Sequence, residues 1–127
     1  LAIFPLSQPS ACANLLRAVS EARQAMVALN EQNRSTGRAP LNYGVGVHVG
    51  DVMYGNIGSR TRLDFTVIGP AVNMASRIET MTKQLGKTVL LSKAFAELVG
   101  SDFDLEHAGE HTVRGFSDKI ELFAYQG

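Results

Sequence analysis

The fold of this chain is decided by the stretch Phe65-Thr66-Val67-Ile68-Gly69-Pro70-Ala71-Val72-Asn73-Met74-Ala75-Ser76-Arg77-Ile78-Glu79. Its first four residues, 65–68, are apolar or β-branched, which predicts a strand. Gly69 permits a tight turn, and Pro70 suits the first turn of a helix, where its missing N–H costs nothing. The residues that follow predict a helix, and Gly86 is a typical helix terminator. A strand, a turn and a helix are therefore expected in direct succession.

The predicted helix has one apolar side and one polar side. Its apolar residues recur three or four positions apart, which indicates a buried side: Ala71, Met74, Ala75, Ile78, Met81 and Leu85. Asn73 and Arg77 are four positions apart and lie away from that side. An amide and a guanidinium near a helix N-terminus suit phosphate, because these termini favour anions and guanidinium binds phosphate oxygens in pairs. The same spacing also fits an ordinary solvated polar face, so spacing alone leaves both interpretations open.

Composition limits the classes of protein to which the chain can belong. Its 127 residues are enough for one small domain, 1–127, and 12 basic residues balance 12 acidic ones. Nothing in that balance favours nucleic acid or an anionic membrane as a partner. No apolar run approaches the length of a membrane span, so a membrane would be reached only through other domains. The single cysteine, Cys12, excludes an internal disulfide. We expect a reducing, cytoplasmic setting.

The remaining sequence predicts alternating helices and strands. Helices are expected over 11–33, with Ser10 as the cap, and over 93–99, with Ser92 as the cap. The first helix carries an apolar stripe of Leu15, Val19, Ala22, Met26 and Leu29. Strands are expected over 1–4, 41–49, 52–57, 63–68, 88–92, 103–109, 110–114 and 120–125. This order predicts an α/β sandwich, in which helices pack on a mixed sheet.

The strand predicted over 41–49 alternates valine with glycine. Glycine weakens a strand, so Gly44 and Gly46 need a reason, and close approach of a packed helix is the expected one. His48 lies on the same side of the strand. We interpret it as a packed, hydrogen-bonded residue and not a metal ligand, because no second histidine or cysteine lies at ligand spacing.

Two blocks of the sequence together resemble the class III nucleotidyl cyclases, the adenylate and guanylate cyclase family. The first is the Thr-Val-Ile-Gly-x-x-Val-Asn-x-Ala-x-Arg-Ile-Glu run over 66–79. The second, over 44–58, contains Gly-x-His-x-Gly and Gly-Asn-Ile-Gly elements. The resemblance covers nearly the whole chain and implies a ferredoxin-like core with extra elements. Because residues 1–4 resemble the second strand of a hairpin, the chain is expected to be the C-terminal two-thirds of the domain, with the N-terminal part missing.

The resemblance implies a reaction in which the ribose 3′-hydroxyl attacks the α-phosphate and pyrophosphate leaves. Arg77 matches the arginine that stabilises the transition state, and Asn73 matches the asparagine that orients the ribose. Thr66 matches the purine-contacting position, and threonine there favours ATP over GTP. A family lysine that contacts the triphosphate is replaced by Phe116, and Lys119 nearby is the candidate substitute; Arg114 is a second.

The resemblance also implies two Mg²⁺ or Mn²⁺ ions and a head-to-tail homodimer. The aspartates that hold the ions match no position in this chain and are expected upstream of Leu1, so the fragment alone is expected to be inactive. In the family, one protomer supplies the metals and the other supplies the asparagine and the arginine. Two alternatives stay open: a guanylate cyclase, and a catalytically silent cyclase-like domain that regulates or dimerises.

Overall fold

The structure, a computed structural model, describes the backbone of residues 1–59 and 62–126, and the side chains of these residues apart from 54–67. The helices in this part are α1 (Ala11–Ser35), α2 (Pro70–Leu85) and α3 (Lys93–Val99), followed by a 3₁₀ turn at Gly100–Asp102. The strands are β1 (Val45–Val47), β2 (Met53–Ser59), β3 (Arg62–Ile68), β4 (Val89–Ser92), β5 (Leu105–Thr112) and β6 (Lys119–Tyr125).

Four of the strands form one mixed sheet in the order β1-β4-β6-β5. β1 and β4 run parallel, and the other two pairings are antiparallel. β2 and β3 pair with each other in a separate antiparallel ribbon that leads directly into α2. The ribbon therefore delivers the chain to the first turn of α2 at the end of the sheet where β1 stops.

Helices cover both faces of the sheet, and each face has its own core. On one face, Leu16 of α1 and Phe95 of α3 pack against the strands. On the other, Met74 and Ile78 of α2 pack against Leu122 of β6. Leu16 and Ile78 are completely buried, which for an aliphatic side chain stabilises the fold by about 1.5–3 kcal/mol. The predicted sandwich of helices on a mixed sheet is confirmed.

The close approach of α2 explains Gly46 of β1 and Gly44 just before it. A Cβ on Gly46 would collide with the backbone of α2 at Ala75 and Glu79, and one on Gly44 would collide with the Thr82 hydroxyl. The predicted reason for these glycines, a helix packed directly on the strand, is confirmed. The polar side of α2 is consequently held at a fixed distance from the sheet.

Both ends of α2 follow the prediction. Gly69 adopts φ 145° immediately before Pro70, a conformation that favours glycine. At the other end Gly86 is left-handed, and the N–H groups of Gly86 and Lys87 donate to the Thr82 carbonyl.

The N-terminal predictions were partly wrong. Residues 1–4 form no strand: Leu1 is 86% exposed, and no strand of the described chain lies beside it to accept its hydrogen bonds. Ser10 precedes α1, but its backbone is left-handed with φ 62° and its side chain makes no capping hydrogen bond. Ser92, in contrast, caps α3 as predicted, with its Oγ accepting from the Phe95 N–H.

Three further predictions needed correction. The strand over 41–49 shrinks to Val45–Val47, because it pairs only with the short β4, while the Leu41 backbone binds the Asn30 side chain instead. The two strands over 103–114 are one strand, β5, interrupted by a bulge between His107 and Glu110. In the α1 stripe, Leu15 and Val19 pack on the core, but Ala22 and Leu29 are exposed.

The exposure of Ala22 and Leu29 follows from the length of α1. A helix of 25 residues extends about 37 Å, further than the short strands that it covers. Within residues 1–59 and 62–126, no helix combines the length and the apolar character needed to cross a bilayer.

Candidate active site

The polar face of α2 carries Asn73 and Arg77 on its first two turns. Both side chains are exposed, whereas Met74 and Ile78, the residues next to them in sequence, are buried. The helix is thus anchored by its apolar side and presents the amide and the guanidinium to solvent. An exposed guanidinium can bind two phosphate oxygens at once.

A cleft of about 350 Å³ opens beside the start of α2. One wall is the first turn of α2, with Pro70, Ala71 and Met74. The other lining residues come from the segment after β1 and from the turn between β5 and β6. These contribute His48, Gly50, Asp51 and Phe116. Asn73 and Arg77 are not among the residues that line this cleft.

His48 connects this cleft to the sheet. Its Nδ1 lies 2.8 Å from the Ser92 Oγ, and the ring is half-buried. Burial lowers the pKa of His48 from its ordinary value, because the charged ring is poorly solvated there. His48 is therefore a packed, hydrogen-bonded residue, as predicted, and its neutral form is favoured.

The segment after β1 reaches the turn that starts α2. A Cβ placed on Gly69 would lie 3.2 Å from the Asp51 carbonyl oxygen and 3.6 Å from the Val52 Cα. A Cβ placed on Gly50 would lie 2.7 Å from the Cβ of Ala71. The backbone after β1 and the first turn of α2 are therefore packed without space between them.

Phe116 occupies the place where the family resemblance leads one to expect a lysine. It is half-buried, packs against the core around α2 and lines the cleft. Its N–H donates to the Val113 carbonyl across 3.0 Å, which fixes the turn. Lys119 and Arg114 are both exposed nearby, Lys119 at the first position of β6, but neither lines the cleft.

The purine position, Thr66, is described only in its backbone. It pairs with Gly55 in the β2–β3 ribbon, one residue before Val67 and three before the turn at Gly69. Its side chain lies outside the described residues, so its assignment stays a prediction.

The described residues do not form a metal site. Within them, no three histidine, cysteine, aspartate or glutamate side chains lie close enough together to hold an ion.

The sequence predicted that Asn73 and Arg77 lie on the polar side of α2, which is confirmed, but it did not predict the cleft. The contact between His48 and Ser92 joins residues 44 positions apart, and it depends on the register in which Val47 pairs with Leu91. A single sequence carries no signal for that register. The glycines around His48 were the one available indication that a helix packs there.

Comparison with known proteins places these features in a family. Residues 5–127 match the adenylate and guanylate cyclase catalytic domain. An adenylate cyclase of Anabaena cylindrica is 46% identical over 63 residues, which is 50% of this chain and 12% of that protein. The photoactivated adenylate cyclase subunit beta of Euglena longa is 31% identical over 130 residues, 100% of this chain and 15% of that protein. The chain thus spans less than a fifth of either relative.

Solved structures agree with the sequence comparison. The adenylyl cyclase CyaB from P. aeruginosa is 30% identical and superposes with a TM-score of 0.72, covering 83% of this chain and 53% of that one. The guanylyl cyclase Cya2 is 26% identical with a TM-score of 0.79, covering 97% of this chain and 61% of that one. The chain therefore belongs to the family of adenylate and guanylate cyclase catalytic domains.

Proposed function

We propose that the complete protein is an adenylate cyclase, which converts ATP to 3′,5′-cyclic AMP and pyrophosphate. The observation that carries this proposal is the pair of exposed residues Asn73 and Arg77, one turn apart at the start of a helix whose other side is buried. Family membership supplies the reaction class, and the relatives from Anabaena cylindrica and Euglena longa are named adenylate cyclases.

Arg77 is proposed to stabilise the charge that builds on the α-phosphate as the ribose 3′-hydroxyl attacks. Phosphoryl transfer depends mainly on positioning and on charge stabilisation. A guanidinium can bind two of the phosphate oxygens at once, and it gains most when their charge is greatest. Its exposed position on α2 leaves it free to reach a phosphate bound beside the helix.

Asn73, Thr66 and Lys119 are proposed to hold the substrate. The Asn73 amide can donate to and accept from ribose oxygens, and it lies one turn before Arg77. The Thr66 hydroxyl can contact the purine amino group. Lys119 is proposed as a triphosphate contact in place of the lysine that Phe116 replaces. The family resemblance implies two Mg²⁺ or Mn²⁺ ions as well, which would neutralise phosphate charge.

The active assembly is proposed to be a head-to-tail homodimer working in the cytoplasm, where ATP is supplied. A two-fold axis would create two equivalent sites, each using Asn73 and Arg77 of one protomer.

A second candidate function is guanylate cyclase activity. It is favoured by the similarity to the guanylyl cyclase Cya2, with its TM-score of 0.79. Thr66 distinguishes adenine from guanine only weakly, because its hydroxyl can both donate a hydrogen bond to a purine and accept one from it.

The test is product identification with the full-length protein. ATP and GTP are supplied separately with Mg²⁺ or Mn²⁺, and the nucleotide products and pyrophosphate are quantified. We expect cyclic AMP and pyrophosphate in equal amounts, with kcat/KM for ATP above that for GTP. A higher kcat/KM for GTP would assign the guanylate function, and no cyclic nucleotide from either substrate would refute both.

A further inference from the structure

We propose that His48 is a positioning residue of the nucleotide site. Through its hydrogen bond to Ser92 it fixes the segment after β1, and the first turn of α2 rests on that segment. This inference builds on the proposed cyclase function, since it concerns how Asn73 and Arg77 are held.

The anchor of this arrangement is Ser92. Ser92 is 4% exposed, and its Oγ accepts the Phe95 N–H across 3.3 Å, which caps α3. Val47 is paired with Leu91, so His48 stands beside Ser92 just after the last paired rung of the two parallel strands. The 2.8 Å contact between the His48 Nδ1 and the Ser92 Oγ therefore ties the end of β1 to a buried and already fixed atom.

Residues 50–52 contact the start of α2, so the position of His48 affects the position of that helix turn. Gly50 packs against Ala71 without room for a side chain, and the backbone of residues 51–52 packs against Gly69. The Gly69 carbonyl in turn accepts the N–H groups of Val72, at 3.1 Å, and Asn73, at 3.2 Å. A shift of the segment after β1 would consequently move the turn that sets the direction of Asn73.

The protonation state of His48 suits this role. A neutral imidazole has one donor and one acceptor, so one ring nitrogen can bind the Ser92 hydroxyl in either tautomer. The Ser92 hydroxyl can donate to the His48 Nδ1 or accept from it, and in either case its oxygen can still accept the Phe95 N–H. The other ring nitrogen, Nε2, lies 4.0 Å from the position of a Cβ on Gly50, on the side of the cleft. The imidazole ring thus lies between the Ser92 hydroxyl and Gly50, the residue that packs against Ala71.

Kinetics of the full-length protein provide the first test. We expect His48→Ala to lower kcat about 10- to 100-fold while KM changes little, because misplacement of catalytic groups by about 1 Å can cost that much in rate. His48→Asn, whose amide can replace Nδ1, should restore kcat to within a few-fold of wild type. Ser92→Ala should match His48→Ala, and the double variant should be no worse than either single one.

His111→Ala is the matched control. His111 is also a half-buried histidine with one short hydrogen bond, 2.7 Å from its Nε2 to the Ala108 carbonyl, but it lies on β5 and does not line the cleft. Its loss should leave kcat unchanged. Melting temperatures of all variants are measured, so that kinetics are compared among folded proteins.

Hydrogen exchange provides a second test that does not require activity. In His48→Ala, the amides of Val72 and Asn73, which donate to the Gly69 carbonyl, should exchange faster than in wild type, and in His48→Asn they should not. Unchanged exchange at these amides, or a folded His48→Ala protein with wild-type kcat, would overturn the proposal. A wild-type protein that makes no cyclic nucleotide would refute the proposed function but leave this exchange test in force.

Discussion

At the scale of single residues, His48 gives the chain a dependence of stability on pH. Burial lowers its pKa below the ordinary 6.5, so the unfolded state binds more protons than the folded state between the two values. Above about pH 6.5 the titration of His48 does not reduce the free energy of unfolding. Below that pH the free energy of unfolding declines as the pH falls toward the lowered pKa.

Replacing His48 by asparagine should remove this part of the dependence. We expect the free energy of unfolding of His48→Asn to fall less than that of wild type between pH 7.5 and about 5. Denaturant titrations of both proteins at several pH values measure the difference. Both proteins contain Asp51, which lines the same cleft, and the exposed pair of His107 and Glu121. The contributions of these groups to the pH dependence therefore cancel in the comparison. Parallel curves would contradict the lowered pKa.

Single-sequence reasoning was most successful for residues whose environment follows from local periodicity. The exposure of Asn73 and Arg77 follows from their spacing relative to the apolar side of α2. The roles of Asn73, Arg77, Thr66 and Lys119 all remain predictions, because they depend on a bound nucleotide. The cleft lined by His48 and Phe116 could not be predicted, since it depends on strand register and on how a distant turn folds back.

At the scale of elements, the contact between α2 and β1 is the one most sensitive to added volume. Gly46→Ala should destabilise the protein by about 1–3 kcal/mol, because the new methyl group meets helix backbone, which cannot move alone. Gly44→Ala is the matched comparison, since its methyl group meets the Thr82 side chain. Thr82→Ala should therefore relieve much of the cost of Gly44→Ala and none of the cost of Gly46→Ala. Equal behaviour of the two glycines in denaturant titrations would contradict this packing.

The elements that were predicted correctly are those with their own local signals. α2 has periodicity, a proline at its start and glycines at both ends, and its bounds were close to the prediction. The strand expected over 1–4 does not form. A strand needs a neighbouring strand to pair with, and the apolar composition of these residues does not provide one. β5 was divided in two because Gly109 suggests a turn, whereas its φ of 91° serves a bulge within one strand.

At the scale of the whole molecule, the proposed dimer predicts complementation. Full-length Arg77→Ala should be nearly inactive, as should a full-length variant lacking one of the aspartates that the family resemblance places before Leu1. Mixing them should restore up to about a quarter of wild-type turnover, because half of the dimers are mixed and each has one intact site of two. No recovery, with subunit exchange demonstrated by sedimentation of tagged protomers, would place the site within one chain.

If Arg77 on the exposed face of α2 stabilises the transition state, its removal should lower the turnover of ATP. The measurement compares kcat and KM for ATP among full-length wild type, Arg77→Ala and Lys83→Ala, which removes an exposed cation from the last turn of the same helix. Because the guanidinium acts on charge that develops in the transition state, Arg77→Ala should lower kcat about 10²–10³-fold with a much smaller change in KM. Lys83→Ala should behave as wild type. An Arg77→Ala protein with wild-type kcat would show that Arg77 does not stabilise the transition state.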